Sequence, residues 1–451
     1  MRNDLGLLCI IVVVFLGAGT AFGIDVTEVL VRFEDGTGAT RIAEIYARAG
    51  LTNVERSPLT GVYRVRVPDG VDATALQTTL DAYAEVRYVE PNAIITTTDF
   101  TPNDPFYTDP AGYQWNMDHI GMPKAWETSG GGSPATIVCV LDTGVAYEDF
   151  GIYKQAPDLA WTNFVAGYDF VNDDNHPNDD RGHGTHVTGT IAQSTNNGVG
   201  VAGIAYNCSI MPVKVLADNG QGTWADVADG ITWATDHGAH VINMSFGGGY
   251  SATVEAACQY AYDAGVVLVA ATGNDNDLGV AAINYPARFS TTIAVGATRY
   301  DNAVTWYSNK GPQIDLVAPG GDWKVDQDND GFGNGYGDGI LQNTLNLITK
   351  DVDDFSYWFS SGTSMSTPHV AAVAALLYDN GITDPELVRQ ILTGTAVDLG
   401  EAGFDETSGW GLLNADAALD RAATIPEPAT LALLTLGGGA LTLLRRRRRG
   451  R

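Results

Sequence analysis

Basic residues are scarce in this 451-residue chain: 25 lysines and arginines stand against 54 aspartates and glutamates, a formal net charge of −29. Such a charge repels phosphate backbones and argues against nucleic acid as a partner. Six of the 25 cations also fall in the last seven positions, Arg445 to Arg449 and Arg451, so the rest of the chain is more acidic still. Cysteine is nearly absent, with four in all. Cys9 lies in an amino-terminal apolar run and would leave with it. Of the remaining Cys139, Cys208 and Cys258, one bridge with a buried thiol and three inert thiols both fit, and cysteine usage fixes no compartment. Long apolar runs are missing as well. The stretches at 5–16 and 429–444 fall short of the roughly 20 residues that a membrane helix needs. What the chain does have is 45% hydrophobic residues, ample for a large buried core.

Four segments can be marked out. Arg2, the apolar run and the small residues at 17–21 read as a secretory signal over 1–23, for which a membrane anchor is the alternative. Residues 24–102 alternate strand patterns at 26–33, 62–67 and 86–89 with helical patterns at 39–49 and 73–82, which describes a small α+β domain. A stretch rich in Pro, Asp and Thr at 96–110 reads as an exposed linker. Residues 103–424 carry short apolar strands at 136–141, 209–215, 240–244, 266–271 and 292–295. Helical segments at 186–193, 223–237 and 253–264 separate them. Apolar strands with intervening helices imply an α/β three-layer sandwich around a mainly parallel sheet, with chemistry at the strands' carboxyl ends. The tail, 425–451, joins Pro426-Glu427-Pro428 to an apolar stretch and five arginines, the pattern of a sorting or stop-transfer signal with its arginines on the cytoplasmic side.

Within 103–424, Asp142 ends an apolar strand and precedes Thr143-Gly144, which suits a cleft but equally a turn cap. His183 stands among glycines in Arg181-Gly182-His183-Gly184-Thr185-His186, just before an apolar helix. With His186 it could form part of a metal pair, but no third ligand follows at a suitable spacing. Ser364, in Gly362-Thr363-Ser364-Met365-Ser366-Thr367-Pro368, begins another apolar helix. There unpaired N–H groups and the dipole favour developing negative charge, although serine is also an ordinary cap.

Taken together, the order Asp, His, Ser and these long glycine-bearing contexts resemble the subtilisin-like protease family. The resemblance covers about 103–423 and implies an endopeptidase working through an acyl-enzyme. Ser364 would be the nucleophile, His183 the general base and acid, and Asp142 its orienting partner. His186 would be structural. Asn274, after an apolar strand in Ala271-Thr272-Gly273-Asn274, would donate to the oxyanion. The segment containing Ser245, Phe246 and Gly247 would pair with an extended peptide, with Gly220 and Gly222 on its other side and Asn284 near the floor of the primary specificity pocket. The 24–102 unit resembles the family's ferredoxin-like propeptide, which occupies the cleft until removed. The tail resembles the PEP-CTERM sorting signal of exported and envelope proteins. That implies an exosortase-type processing enzyme, transient membrane association and a secreted or envelope location.

Calcium is the expected cofactor. Asp169, Asp173, Asp174 and Asp179 crowd the loop before His183, where a hard cation would offset their repulsion. Asp326, Asp328 and Asp330 match the start of an EF-hand-like loop whose twelfth position is glycine rather than glutamate. By the family resemblance, Asp158 and Asn197 would serve a further site.

Overall fold

The computed structural model describes residues 28–92 except 52, 53, 58, 69, 70 and 72, and residues 100–425 except 110, 111, 277–281 and 325–338. The expected secretory signal, the tail from Pro426, and Asp326, Asp328 and Asp330 lie outside the described residues. Two compact units make up the chain, one through Thr98 and one from Asp99.

The amino-terminal unit runs β1 (Glu28–Phe33), α1 (Ala39–Arg48), β2 (Val54–Arg56), β3 (Tyr63–Arg66), α2 (Ala73–Asp81) and β4 (Val86–Pro91). Strict alternation along β1 turns Val29, Val31 and Phe33 inward. Ile42, Ile45 and Tyr46 of α1, at helical spacing, meet them with Leu76 and Leu80 of α2 in one core. The sheet is antiparallel in the order β2-β3-β1-β4, the ferredoxin-like arrangement expected. Strand β2 is an addition to the sequence reading. At three residues, mostly exposed, it carries no apolar alternation to detect.

The larger unit is built on a sheet in the order β12-β11-β10-β9-β5-β8-β6, with β7 also on β8. Its strands, all parallel, are β5 (Ile137–Asp142), β6 (Asn163–Phe164), β7 (Tyr168–Asp169), β8 (Ser209–Lys214), β9 (Val241–Met244), β10 (Val267–Ala271), β11 (Thr292–Thr298) and β12 (Leu316–Pro319). Strands β13 (Ile340–Leu345) and β14 (Phe355–Ser360) form a separate antiparallel pair. Short helices α3 (Pro105–Thr108), α4 (Trp115–His119) and α5 (Met122–Ser129) precede the sheet, and α6 (His183–Ala192), α7 (Trp224–Asp236), α8 (Ala252–Asp263), α9 (Thr363–Asp379), α10 (Pro385–Gly394) and α11 (Ala415–Ala423) follow within or after it.

The two-residue period of the strands divides the core. Val138 and Val140 of β5, with Val267 and Val269 of β10, pack with α6 and α9, whereas Cys139 and Leu141, with Leu268 and Ala270, pack with α7 and α8. These are the three layers the sequence pattern implied. Helix α9 is buried from Met365 through Leu377, so it is apolar nearly all round, as a central helix must be. Cys139, Cys208 and Cys258 are all free and buried. Burial pushes the thiols of Cys208 and Cys258 up to about 12, so they stay protonated and inert.

Candidate active site

Asp142 is the last residue of β5 and is fully buried. Its Oδ1 accepts from the backbone N–H of Thr143 and from His183 Nδ1, each at 2.7 Å. His183 is the first residue of α6, and its side chain keeps 28% of its exposure, so one ring edge is anchored and the other is open. Burial works against the imidazolium, but the charge and hydrogen bond of Asp142 outweigh it and hold the His183 pKa above its ordinary value. This contact depends on Gly184. A Cβ there would fall 2.1 Å from the Gly144 carbonyl oxygen and 3.2 Å from Asp142 Cβ, so any side chain would push α6 away from the Asp142 turn.

Two buried charged groups weld that turn to the loop before α6. Asp179 Oδ1 accepts from Thr143 Oγ1 and from the backbone N–H groups of Arg181 and Gly182. Its Oδ2 accepts from Thr185 N–H and Oγ1. The carboxylate thereby satisfies the first turn of α6, which has no side-chain cap of its own. Lys214, buried at the end of β8, donates to Thr143 O at 2.6 Å, Asp180 Oδ1 at 2.7 Å and Leu216 O at 3.0 Å. Sequence reading passed over it, although a lysine at the end of the apolar run 209–215 is itself the signal of a buried polar anchor.

Ser364 is the second residue of α9, and its hydroxyl donates to Ser245 O at 2.8 Å. The contact is reciprocal: Ser245 Oγ donates to Ser364 O at 2.9 Å. Pro368, four residues on, has no N–H to offer the Ser364 carbonyl, and Ser245 takes the freed acceptor. Asn274 Oδ1 accepts from Thr363 N–H at 2.9 Å and Thr363 Oγ1 at 3.0 Å, which leaves its amide nitrogen unused. A Cβ placed on Gly362 would stand 3.5 Å from Asn274 Nδ2 and 3.7 Å from Ser364 N, so both donors face one small space.

Beside this point runs a cleft of about 390 Å³ lined by Gly220, Gly222, Phe246 and Gly247, together with Leu216, Trp224 and Val227. The last two lie in the first turn of α7, a segment the sequence marked only as helical. Asn284 lies behind Gly247, where a Cβ would meet Asn284 Cβ at 2.8 Å; its amide donates to Asp275 Oδ2 at 3.2 Å.

The acidic loop does not assemble the calcium site expected of it. Asp169 closes its own turn on Val171 and Asn172, Asp173 accepts from Tyr168, and Asp174 accepts from the His176 N–H. Both Asp179 oxygens are taken, as described above. Among the described residues, no group of three or more His, Cys, Asp or Glu side chains is placed to hold a metal ion. His186 is buried with Nε2 donating to Ile340 O, and burial lowers its pKa to about 4; it is structural, not half of a metal pair. Asp158 and Asn197 do meet, Asn197 Nδ2 donating to Asp158 Oδ1 at 2.9 Å. Asp104, absent from the sequence reading, joins them: it is fully buried, its Oδ2 accepts from Asn196 N–H, and its Oδ1 has no partner. Burial, with the Asp104 charge adding to it, pushes Asp158 up to about 7.

Comparison with known proteins places the chain among related sequences and folds. A family model described as the subtilase family matches residues 133–411, and one described as the fervidolysin N-terminal prodomain matches 27–92. A thermophilic serine proteinase of Bacillus sp. (strain AK1) is 35% identical over 378 residues, covering 83% of each chain. Thermitase of Thermoactinomyces vulgaris is 37% identical over 305 residues, 67% of this chain and 94% of that one. Among solved structures, fervidolysin from Fervidobacterium pennivorans, described as a keratinolytic enzyme related to subtilisin, matches with a TM-score of 0.57 and 29% identity. It covers 89% of this chain and 61% of its own.

Proposed function

The chain belongs to the subtilase family and is a serine-type endopeptidase, and on that premise we propose that Ser364 carries the acyl group, His183 moves the proton, and Asp142 and Asn274 manage the charge. The observation that carries this reading is the 2.7 Å bond from His183 Nδ1 to the buried Asp142. It fixes the tautomer, leaving Nε2 free on the exposed edge to take the serine proton. As substrate enters, the Ser364 hydroxyl exchanges Ser245 O for His183 and attacks the carbonyl. The oxyanion accepts from Asn274 Nδ2 and Ser364 N–H, His183 protonates the leaving amine, and water completes the second step. The peptide lies extended between the Gly220–Gly222 and Ser245–Gly247 segments, held by main-chain hydrogen bonds that tolerate many sequences.

A fluorophosphonate probe tests the assignment: prodomain-free protein is expected to label on Ser364 and the Ser364→Ala variant not at all. Unlabelled wild type sinks the reading. Asn274→Ala is expected to lower kcat by about 100- to 1000-fold with little change in KM, the range known from subtilisin itself. Steady-state kinetics on one peptide decides it, since a ground-state binding role would move KM instead.

The amino-terminal unit, matched to a prodomain family, is proposed to leave by cleavage between residues 95 and 104. Export through the 1–23 signal and exosortase-type processing of the tail would deliver the enzyme to the envelope or beyond. Among the described residues no helix is long and apolar enough to cross a membrane.

Among the described residues we propose one place for calcium. Two buried carboxylates, Asp158 and Asp104 with its orphaned oxygen, supply hard oxygens of the kind calcium takes; Asn197, whose amide nitrogen faces Asp158 while its oxygen accepts from Val199 N–H, would join them by turning its amide. Bound there it would neutralise carboxylates whose burial otherwise raises their pKa. At calcium a hundredfold above Kd the stabilisation is roughly 3 kcal/mol, roughly 5 °C in Tm for a domain of this size. Thermal unfolding with calcium and with a calcium chelator should differ by about that much in wild type and not in Asp158→Asn; equal wild-type Tm values exclude the site.

A further inference from the structure

We propose that Arg181 is a specificity residue, selecting an acidic side chain on the amino-terminal side of the scissile bond. The inference rests on the active-site reading above and names the substrate class of that same cleft. Arg181 lies two residues before His183, and its backbone is held by Asp179 Oδ1 at 3.0 Å. From there the side chain reaches the segment before Gly220, where Nη1 donates to Asp218 O at 3.0 Å. Its Cζ, Nε and Nη2 stand 2.7, 2.8 and 3.0 Å from the place of a Cβ on Gly220, so the guanidinium fills the room that this glycine leaves open. Gly220 in turn lines the cleft. A peptide laid against Gly220–Gly222 and entering the site beside His183 must pass this group.

Packed beside Gly220, the guanidinium has its charge uncompensated. Among the described residues no carboxylate comes within 4.0 Å of it, in a chain of net charge −29. The nearest acids in sequence are already committed: Asp179 to Thr143, Thr185 and backbone N–H groups, and Asp180 to Lys214. One N–H goes to a carbonyl, and the fork keeps donors in the geometry a carboxylate accepts. Arg181 is anchored at both ends, so little side-chain entropy is left to lose when a substrate carboxylate arrives. Its charge also acts at His183, two residues on, where it opposes the imidazolium.

The test is a set of fluorogenic peptides identical except for Glu, Gln or Lys at each position in turn on the amino-terminal side of the cleaved bond. Rates are normalised to fluorophosphonate-titrated sites so that misfolded protein drops out. At about 50 mM salt, where screening is weak, mature wild type should prefer Glu over Gln about fivefold in kcat/KM at one position. The preference should shrink at high salt. Arg181→Gln should bring the ratio to about one, and Arg181→Glu should favour Lys at the same position. A Glu-to-Gln ratio equal in wild type and both variants overturns the proposal, as does a wild type indifferent at every position. Because only titrated sites are counted, neither result is confused with failure of the Ser364 assignment, which shows as absent labelling.

Discussion

Replacing Ser364 by alanine is expected to reduce turnover by about 10⁶-fold, the loss known for subtilisin of the same family, and to leave the prodomain attached. Both effects have one cause. Without the hydroxyl no acyl-enzyme forms, and the remaining groups act only as a donor pair and a binding groove, which alone give a small residual rate. The substitution deletes one hydrogen bond, Ser364 Oγ to Ser245 O, and keeps the other, in which Ser245 Oγ serves the carbonyl freed by Pro368. Helix α9, buried from Met365 through Leu377, should therefore stay in place. Mass spectrometry of the amino terminus in wild type and variant, alongside peptide kinetics, reads both effects. A variant that still loses its prodomain when expressed alone, or retains more than about a hundredth of wild-type turnover, assigns the nucleophile elsewhere.

Much of this was legible in sequence, for reasons visible in particular residues. The parallel sheet announced itself because β5, β8, β9 and β10 are buried on both faces and so read as near-continuous apolar runs. The proposed catalytic positions stand in distinctive sequence contexts because close packing restricts their neighbours: Gly184 cannot carry a side chain beside Gly144, and with Pro368 in α9 the Ser364 carbonyl takes its hydrogen bond from Ser245. The acidic loop misled because composition gives charge but not direction. Asp169, Asp174 and Asp179 each turn to local N–H groups, which a run of aspartates does as readily as it binds a cation. Asp104 and Lys214 were missed for the opposite reason. Each works with residues far away in sequence, Asp104 with Asn196 and Lys214 with Thr143, and no spacing rule reaches across such separations.

That division matters for how the site is held. Asp142, His183 and Ser364 sit on β5, α6 and α9, and the bonds that align them are mostly made by residues with no chemical step of their own. Asp179 and Lys214 converge on Thr143, the residue after Asp142, from the loop before α6 and from β8. The Asp142 turn is thus fixed from two sides before substrate arrives, which is the preorganisation that charge development in the transition state requires.

Asp142→Asn isolates the electrostatic part of that arrangement and should cost about 10⁴-fold in kcat at neutral pH, close to the effect known for such substitutions in serine proteases, subtilisin included. Asn is nearly isosteric, and Asp142 Oδ2 has no hydrogen-bond partner to lose, so the fold should not suffer. What disappears is the negative charge that holds the His183 pKa above its ordinary value against burial. With burial left dominant, that pKa should fall below the ordinary value, near 6.5. Because His183 must be neutral to act as base, the acid limb of kcat/KM should move to lower pH as the plateau collapses. The two changes run in opposite directions: a wider pH range and a far lower rate. A loss of structure would lower the plateau without displacing the limb, so a pH profile from about 5 to 10 separates the cases. An unmoved limb, or a rate within about tenfold of wild type, would remove Asp142 from the role given to it here.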